Sequence, residues 1–191
     1  MTDAVDLAVA MGALLDRLGV LYAVGGSVAA SLFGEPRTTV DIDVAARLNQ
    51  DGLAALLGEL GPQFYVPASA AATAVDAGSS FNLVDTDSGL KVDVFVLGSS
   101  ELDRRQIERR WRVEIRRDPS TFLWVTAPED IVLRKLEWFV LGGESSQRQW
   151  RDIVGLLRVQ SEYLDWDDLR NAAASLGLHV LLERAVVAAT G

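Results

Sequence analysis

Two aspartates one residue apart, Asp41 and Asp43, sit in a stretch that otherwise alternates like a half-buried strand, and no other feature so narrows what this chain can become. Side chains i and i+2 share a face of a strand, so Thr39, Asp41 and Asp43 point one way and Val40, Ile42 and Val44 the other. The apolar face demands a core, and the acidic face demands positive charge. Carboxylates roughly 7 Å apart along a strand repel unless a cation lies between them, and Mg²⁺, a hard ion that prefers oxygen, suits that place.

Fourteen residues before Asp41 stands the last residue of Gly25-Gly26-Ser27. Residues 20–24 read as a strand, the glycines as a turn lacking Cβ atoms, and residues 27–33 as a short helix opening at Ser27. Glycines let phosphate oxygens approach the backbone, while the free N–H groups and dipole of the helix start favour an anion that Ser27 can cap or bind. A Gly-Gly-Ser by itself is an ordinary tight turn; followed by Asp-x-Asp it becomes specific. Arg37 shares parity with Thr39, Asp41 and Asp43, and is read equally as a phosphate ligand or as a structural partner of the acids.

A third acid comes from residues 90–97. Alternation there sets Lys91, Asp93 and Phe95 on one face and Leu90, Val92, Val94 and Val96 on the other. If this strand lies beside the Asp-x-Asp strand, three carboxylates converge in the set that holds one or two Mg²⁺ ions against a triphosphate. The alternative reading makes Asp93 an edge-strand solubility residue.

These residues carry a resemblance. Residues 24–44 resemble the nucleotidyltransferase superfamily typified by DNA polymerase β, whose pattern is a GG or GS turn, a short helix and Asp-x-Asp. The Arg-Thr-Thr-Val-Asp-Ile-Asp ending is similar to a small bacterial branch that includes antibiotic adenylyltransferases, minimal nucleotidyltransferases of toxin–antitoxin pairs and abortive-infection-type toxins. Ala127-Pro128-Glu129-Asp130 through Lys135-Leu136, and Arg148 through Ile153, resemble later segments of that branch, so the likeness spans about residues 20–155. It implies an α/β (α+β) fold, a mixed sheet flanked by helices with a C-terminal helical bundle. It implies transfer of a nucleoside monophosphate from an NTP to an acceptor hydroxyl. Carried over by residue, Gly25, Gly26 and Ser27 would hold the triphosphate, Asp41 and Asp43 would bind Mg²⁺, and Asp93 would complete the metal site and help activate the acceptor. The branch has Lys where this chain has Arg151, which puts a flexible phosphate-binding ammonium there in doubt.

The acceptor stays open among a small molecule, a tRNA end and a partner protein. A second reading makes the chain a low-activity nucleotide- or partner-binding regulatory module of a toxin–antitoxin-like system. A third leaves the acids holding a structural divalent ion in an unrelated fold.

Composition bounds these readings. A chain of 191 residues, 49% hydrophobic and 24% charged, has enough material for one good core or a core with a small appended domain. The absence of an 18-residue apolar run or a basic-then-apolar leader predicts a cytoplasmic protein rather than a secreted or membrane-spanning one. Zero cysteines exclude disulfides and thiolate zinc sites. A net charge of −9 argues against a broad nucleic-acid footprint. Residues 101–118 nevertheless hold seven arginines against five acids, read mainly as a solvated helix face and otherwise as a polynucleotide or acidic-protein surface.

Along the chain, residues 3–18 form an amphipathic helix, Asn49 caps a helix over 50–60, residues 63–66 form a short strand, and 68–77 form a helix or loop facing the site. Residues 81–85 and 90–97 make a hairpin, 121–126 a last strand, and helices follow near 129–141, 145–160, 166–176 and 178–189. This gives a nucleotidyltransferase core over 1–118 and a mainly helical region over 119–191 packed on it. Lys135 is read equally as a γ-phosphate ligand or as a salt-bridge partner of Glu137 or Asp152. Asp130 is a first-turn helix acid, the five tryptophans are packing residues, and His179 is a partly buried helix residue.

Overall fold

The computed structural model describes residues 3–32 and 41–191. Arg37, Thr39 and Val40 lie outside the described residues, and with them the reading of Arg37. Helix α1 (Ala4–Arg17) leads to β1 (Tyr22–Val24), α2 (Gly26–Leu32) and β2 (Asp41–Ala46). Then come α3 (Gln50–Glu59), β3 (Phe64–Tyr65), α4 (Ala68–Ala77), the hairpin β4 (Ser80–Asp85) and β5 (Lys91–Val96), α5 (Glu101–Glu108) and the hairpin β6 (Trp111–Arg117) and β7 (Ser120–Val125). Four helices finish the chain: α6 (Pro128–Leu141), α7 (Gln147–Gln160), α8 (Trp166–Ser175) and α9 (His179–Thr190).

Local chemistry accounts for these boundaries. The carboxylate of Asp3 accepts from the Asp6 amide, Asn49 Oδ1 from Gly52 at 2.8 Å, Ser100 Oγ from Asp103 and Asp165 from Asp168, each satisfying a helix-start N–H that has no intrahelical partner. Pro128 opens α6, where its missing N–H costs nothing.

Among the described residues the strands form one seven-stranded sheet in the order β3-β4-β5-β2-β1-β7-β6. Pairing is mixed: β1 runs antiparallel to β2 and parallel to β7, while β2 runs parallel to β5. The strand β7 thus belongs to the sheet, and the uninterrupted helical part begins at Pro128. All three residues of β1 are buried, as a central strand covered on both faces requires.

One face, carrying Ile42, Val44, Ala46, Val92, Val94 and Val96, is closed into the core. Helix α1 packs against β7, β1 and β2 and touches α3; α6 packs with α5, α7 and α8, and α9 with α7 and α8. No helix among the described residues is long and apolar enough to cross a membrane.

The structure revises four local expectations. Asp130 is fully buried rather than a simple first-turn acid. The arginine-rich segment is solvated only in part: Arg104, Arg112, Arg116 and Arg117 are exposed, but Arg105 donates to Asp130 at 2.8 Å and to Asp168 at 2.7 Å, and Arg109 reaches Asp168 at 2.9 Å. Arg110 stacks over Trp124 at 4.5 Å, Arg112 over Phe122 at 3.8 Å, and Arg116 pairs with Asp6. For Arg105 and Arg109 the counter-charges come from distant α6 and α8, which the sequence does not show as neighbours. His179 is exposed at the start of α9, because its side chain faces away from the Leu181–Leu182 core side. Trp111 is 42% exposed on edge strand β6, unlike the packing role expected for the tryptophans.

Candidate functional site

The register of β2 against β5 fixes the site. Asp41 pairs with Lys91, Asp43 with Asp93 and Ala45 with Phe95. On the far side of β5, Asn82 pairs with Asp93 and Ser80 with Phe95. Because paired residues point the same way, Asp41, Asp43, Asp93, Asn82 and Phe95 share one sheet face. Asp43 and Asp93 are therefore direct neighbours, and Asp41 lies one pleat toward the start of β2.

The Gly25-Gly26 turn is stitched to the same strand. The Gly25 amide donates to the Asp43 carbonyl at 2.8 Å, and the Ala29 amide to the Gly25 carbonyl at 3.1 Å. Gly26 has φ +56°, in the region that favours glycine. A Cβ there would lie 1.6 Å from Asp43 Oδ2, so the carboxylate occupies the space that a side chain at 26 would need. The two motifs are one interlocked structure.

The charge balance is acidic but not unopposed. Burial pushes the Asp43 carboxyl above its ordinary range, neighbouring Asp93 and Asp41 add to this, and Lys135 and Lys91 partly offset it. Lys91 Nζ lies 3.0 Å from Asp93 and 3.5 Å from Asp41, an ammonium bridging two acids. With the side chains so placed, no three acids among the described residues are grouped tightly enough to hold an ion. The donor set still suits a hard cation, since every acidic group is a carboxylate, and the bridging Lys91 marks a point where the fold calls for positive charge.

Above this face opens a cavity of about 410 Å³. Gly25, Gly26, Ser27 and Asp43 form one wall; Lys135, Arg134 and Ile131 of α6 form another; Phe95 and Trp138 supply aromatic surface. Their ring centroids are 5.1 Å apart with planes tilted by 37°. Lys135 Nζ lies 3.8 Å from Asp152 Oδ2, so the salt-bridge reading and the cleft-facing reading of this lysine hold together. Arg134 instead ties α6 to α5, reaching Asp103 at 2.5 Å and Gln106 Oε1 at 2.7 Å, and pairs within α6 with Glu137 at 2.7 Å. Thr126 lines the cavity beside Gly25.

The fold thus brings Gly25, Gly26, Ser27, Asp43 and Lys135 to one cavity, with Asp93 and Asp41 beside them on the same face. Sequence reasoning missed Phe95, Trp138 and Thr126 as site residues. For the first two a signal existed: Phe95 shares parity with Asp93, and Trp138 lies one helical turn after Lys135. For Thr126 there was none, because its place depends on β7 pairing with β1.

No family model matches this sequence, and no curated protein matches it. Among solved structures, an antigenic nucleotidyltransferase-like protein from Paracoccidioides brasiliensis aligns over 95% of this chain and 91% of that chain, at 18% identity and a TM-score of 0.55. The fold is accordingly nucleotidyltransferase-like: a mixed α+β sheet flanked by helices, with helices at the C-terminus.

Proposed function

We propose that this protein is a Mg²⁺-dependent nucleotidyltransferase that moves a nucleoside monophosphate from an NTP to an acceptor hydroxyl. The observation that carries this reading is the interlock of the Gly25-Gly26 turn with Asp43, beside Asp93 and beneath Lys135. Ser27 and Lys135 line the cavity and would supply donors to phosphate oxygens. The aromatic end, Phe95 and Trp138, suits the flat face of a nucleobase.

Asp41, Asp43 and Asp93 would hold Mg²⁺ once Lys91 withdraws from Asp41 and Asp93 and the carboxylates draw together. Bound there, the ion would supply Lewis acidity toward the phosphate oxygens. The acceptor oxygen attacks the α-phosphorus, the bond to the bridging β-phosphate oxygen breaks, and pyrophosphate leaves. Asp93 takes up the hydroxyl proton. Positioning by the Gly25-Gly26 turn and neutralisation by Lys135 carry most of the remaining effect. Small molecules, tRNA ends and proteins all offer such a hydroxyl, and a regulatory role in a toxin–antitoxin-like pair would use the same nucleotide site.

The test is calorimetric titration of ATP, GTP, CTP and UTP into the protein with and without Mg²⁺, repeated on an Asp41→Asn/Asp43→Asn double variant. Mg²⁺-dependent binding in the wild type that disappears in the double variant supports the reading. Binding of none of the four, or binding unaffected by the double change, overturns it.

A further inference from the structure

Thr126 carries a buried hydroxyl whose use within the folded chain is not evident. The residue is 0% exposed, and Oγ1 has no hydrogen-bond partner in the structure. Its backbone N–H is satisfied, donating to the Val24 carbonyl at 2.9 Å. That bond extends the parallel pairing of β7 with β1, where Val125 lies opposite Val24. The pairing brings Thr126 to the turn that follows β1. An added Cβ on Gly25 would sit 3.7 Å from Oγ1, so the hydroxyl stands against the Gly25-Gly26 backbone, in the cavity wall.

A hydroxyl left unpaired in the interior is destabilising, and native folds retain few. Valine would fill the same shape without that penalty. Buried polar groups without partners in a folded chain call for an explanation, and here the cavity provides one. Thr126 lines the cavity together with Gly25 and Gly26, and Lys135 lines it from α6.

We infer that Thr126 is a ligand-binding residue whose hydroxyl donates to a phosphate oxygen of the bound nucleoside triphosphate. The inference rests on the nucleotide reading above. It adds a donor from the far side of the turn, from a strand outside the Gly-Gly-Ser and Asp-x-Asp motifs. The phosphates would then meet one side-chain hydroxyl beside the turn.

Thr126→Val and Thr126→Ser separate the possibilities. Each is titrated with the four nucleoside triphosphates and with inorganic tripolyphosphate, in Mg²⁺, and each is melted without ligand. Thr126→Val should weaken both the preferred nucleotide and tripolyphosphate by about tenfold or more, the loss of one hydrogen bond to a charged group. Its ligand-free melting temperature should equal or exceed that of the wild type, because an unpaired buried hydroxyl has been removed. Thr126→Ser keeps the donor and should bind within about threefold of wild type, well short of the loss of a whole hydrogen bond. Wild-type affinity in Thr126→Val overturns the inference while leaving the nucleotide reading intact. A loss confined to nucleotides, with tripolyphosphate unaffected, moves the contact to the sugar and overturns the phosphate assignment. A Thr126→Val variant that melts well below wild type assigns the hydroxyl a structural partner and also overturns it. If the wild type binds no nucleotide, the parent reading fails and this inference with it.

Discussion

Replacing Gly26 by alanine tests the interlock at the centre of the site. The new Cβ would lie 1.6 Å from Asp43 Oδ2 and 2.6 Å from its Cγ, where real contacts stay above 3.0 Å. The carboxylate oxygen must withdraw by about 1.4 Å, the gap between 1.6 Å and that floor. Asp43 is short and its backbone is locked between β1 and β5, so only rotation about its own side-chain bonds can provide the movement. Alanine at φ +56° adds a backbone penalty of about 1–2 kcal/mol, which for a chain of this size lowers the melting temperature by roughly 2–8 °C. A displacement near 1 Å at a reacting centre costs on the order of a hundredfold in rate, so turnover should fall by that much or more. Gly25→Ala is the control: its Cβ meets only Thr126 Oγ1 at 3.7 Å, and the variant should melt within about 2 °C of wild type. The assay is a thermal melt followed by Mg²⁺-dependent nucleotide titration. A Gly26→Ala protein with wild-type melting and wild-type nucleotide affinity would refute the claim that Asp43 occupies the space of the missing side chain.

Other perturbations follow from the same geometry. Trp138→Ala removes aromatic surface worth about 1–3 kcal/mol per stacked base, so nucleotide affinity should fall roughly 5- to 150-fold while tripolyphosphate binding is unchanged; equal losses for both probes would contradict a nucleobase at that end. Lys91→Met removes the ammonium bridging Asp41 and Asp93, and titration of Mg²⁺ or Mn²⁺ alone should reveal tighter binding than in wild type; weaker binding would mean that Lys91 orders the acids rather than competing for their charge. Asp130→Ala leaves Arg105 and Arg109 short of a buried partner and should cost about 3–5 kcal/mol, read as a lower urea midpoint with an unchanged slope; a midpoint at the wild-type value would show that Asp168 alone suffices.

Period and punctuation made the acidic motif legible. Alternation set Asp41 with Asp43 and Asp93 with Phe95, and the structure keeps both parities. Asn49 announced its helix because a cap is a local device, acting over three residues. The β4–β5 hairpin was equally local. What alternation does not encode is which strand lies beside which. That β2 pairs with β5 was a condition in the sequence argument, and that β7 pairs in parallel with β1 was absent from it, so Thr126 stayed hidden. Burial of charge failed for the same reason. Asp130 and Arg105 lie in different helices, 25 residues apart, and neither has an apolar pattern to betray its depth. His179 failed differently: its neighbours Leu178 and Leu181 are buried, but the helix turns its own position outward.

The buried charges bear on the site through α6. Its first turn is fixed by Asp130 to Arg105 of α5, and by Glu129, whose Oε1 accepts from the Asp165 amide at 2.8 Å before α8. One turn on, Arg134 grips Asp103 and Gln106 of α5. Lys135 is the next residue and Trp138 the next turn, so the side chains that complete the cavity come from the helix that the ionic contacts hold in register. An apolar seam between α5 and α6 could slide by a residue at modest cost. Arginine forks set against specific carboxylates cannot, because a slip would leave buried charges unpaired. The acids stand on the sheet and the ammonium on the helix, and the distance between them depends on two layers docking in one position. Ionic contacts with direction, placed where α5 and α6 meet, fix that position in a way that apolar burial alone would not.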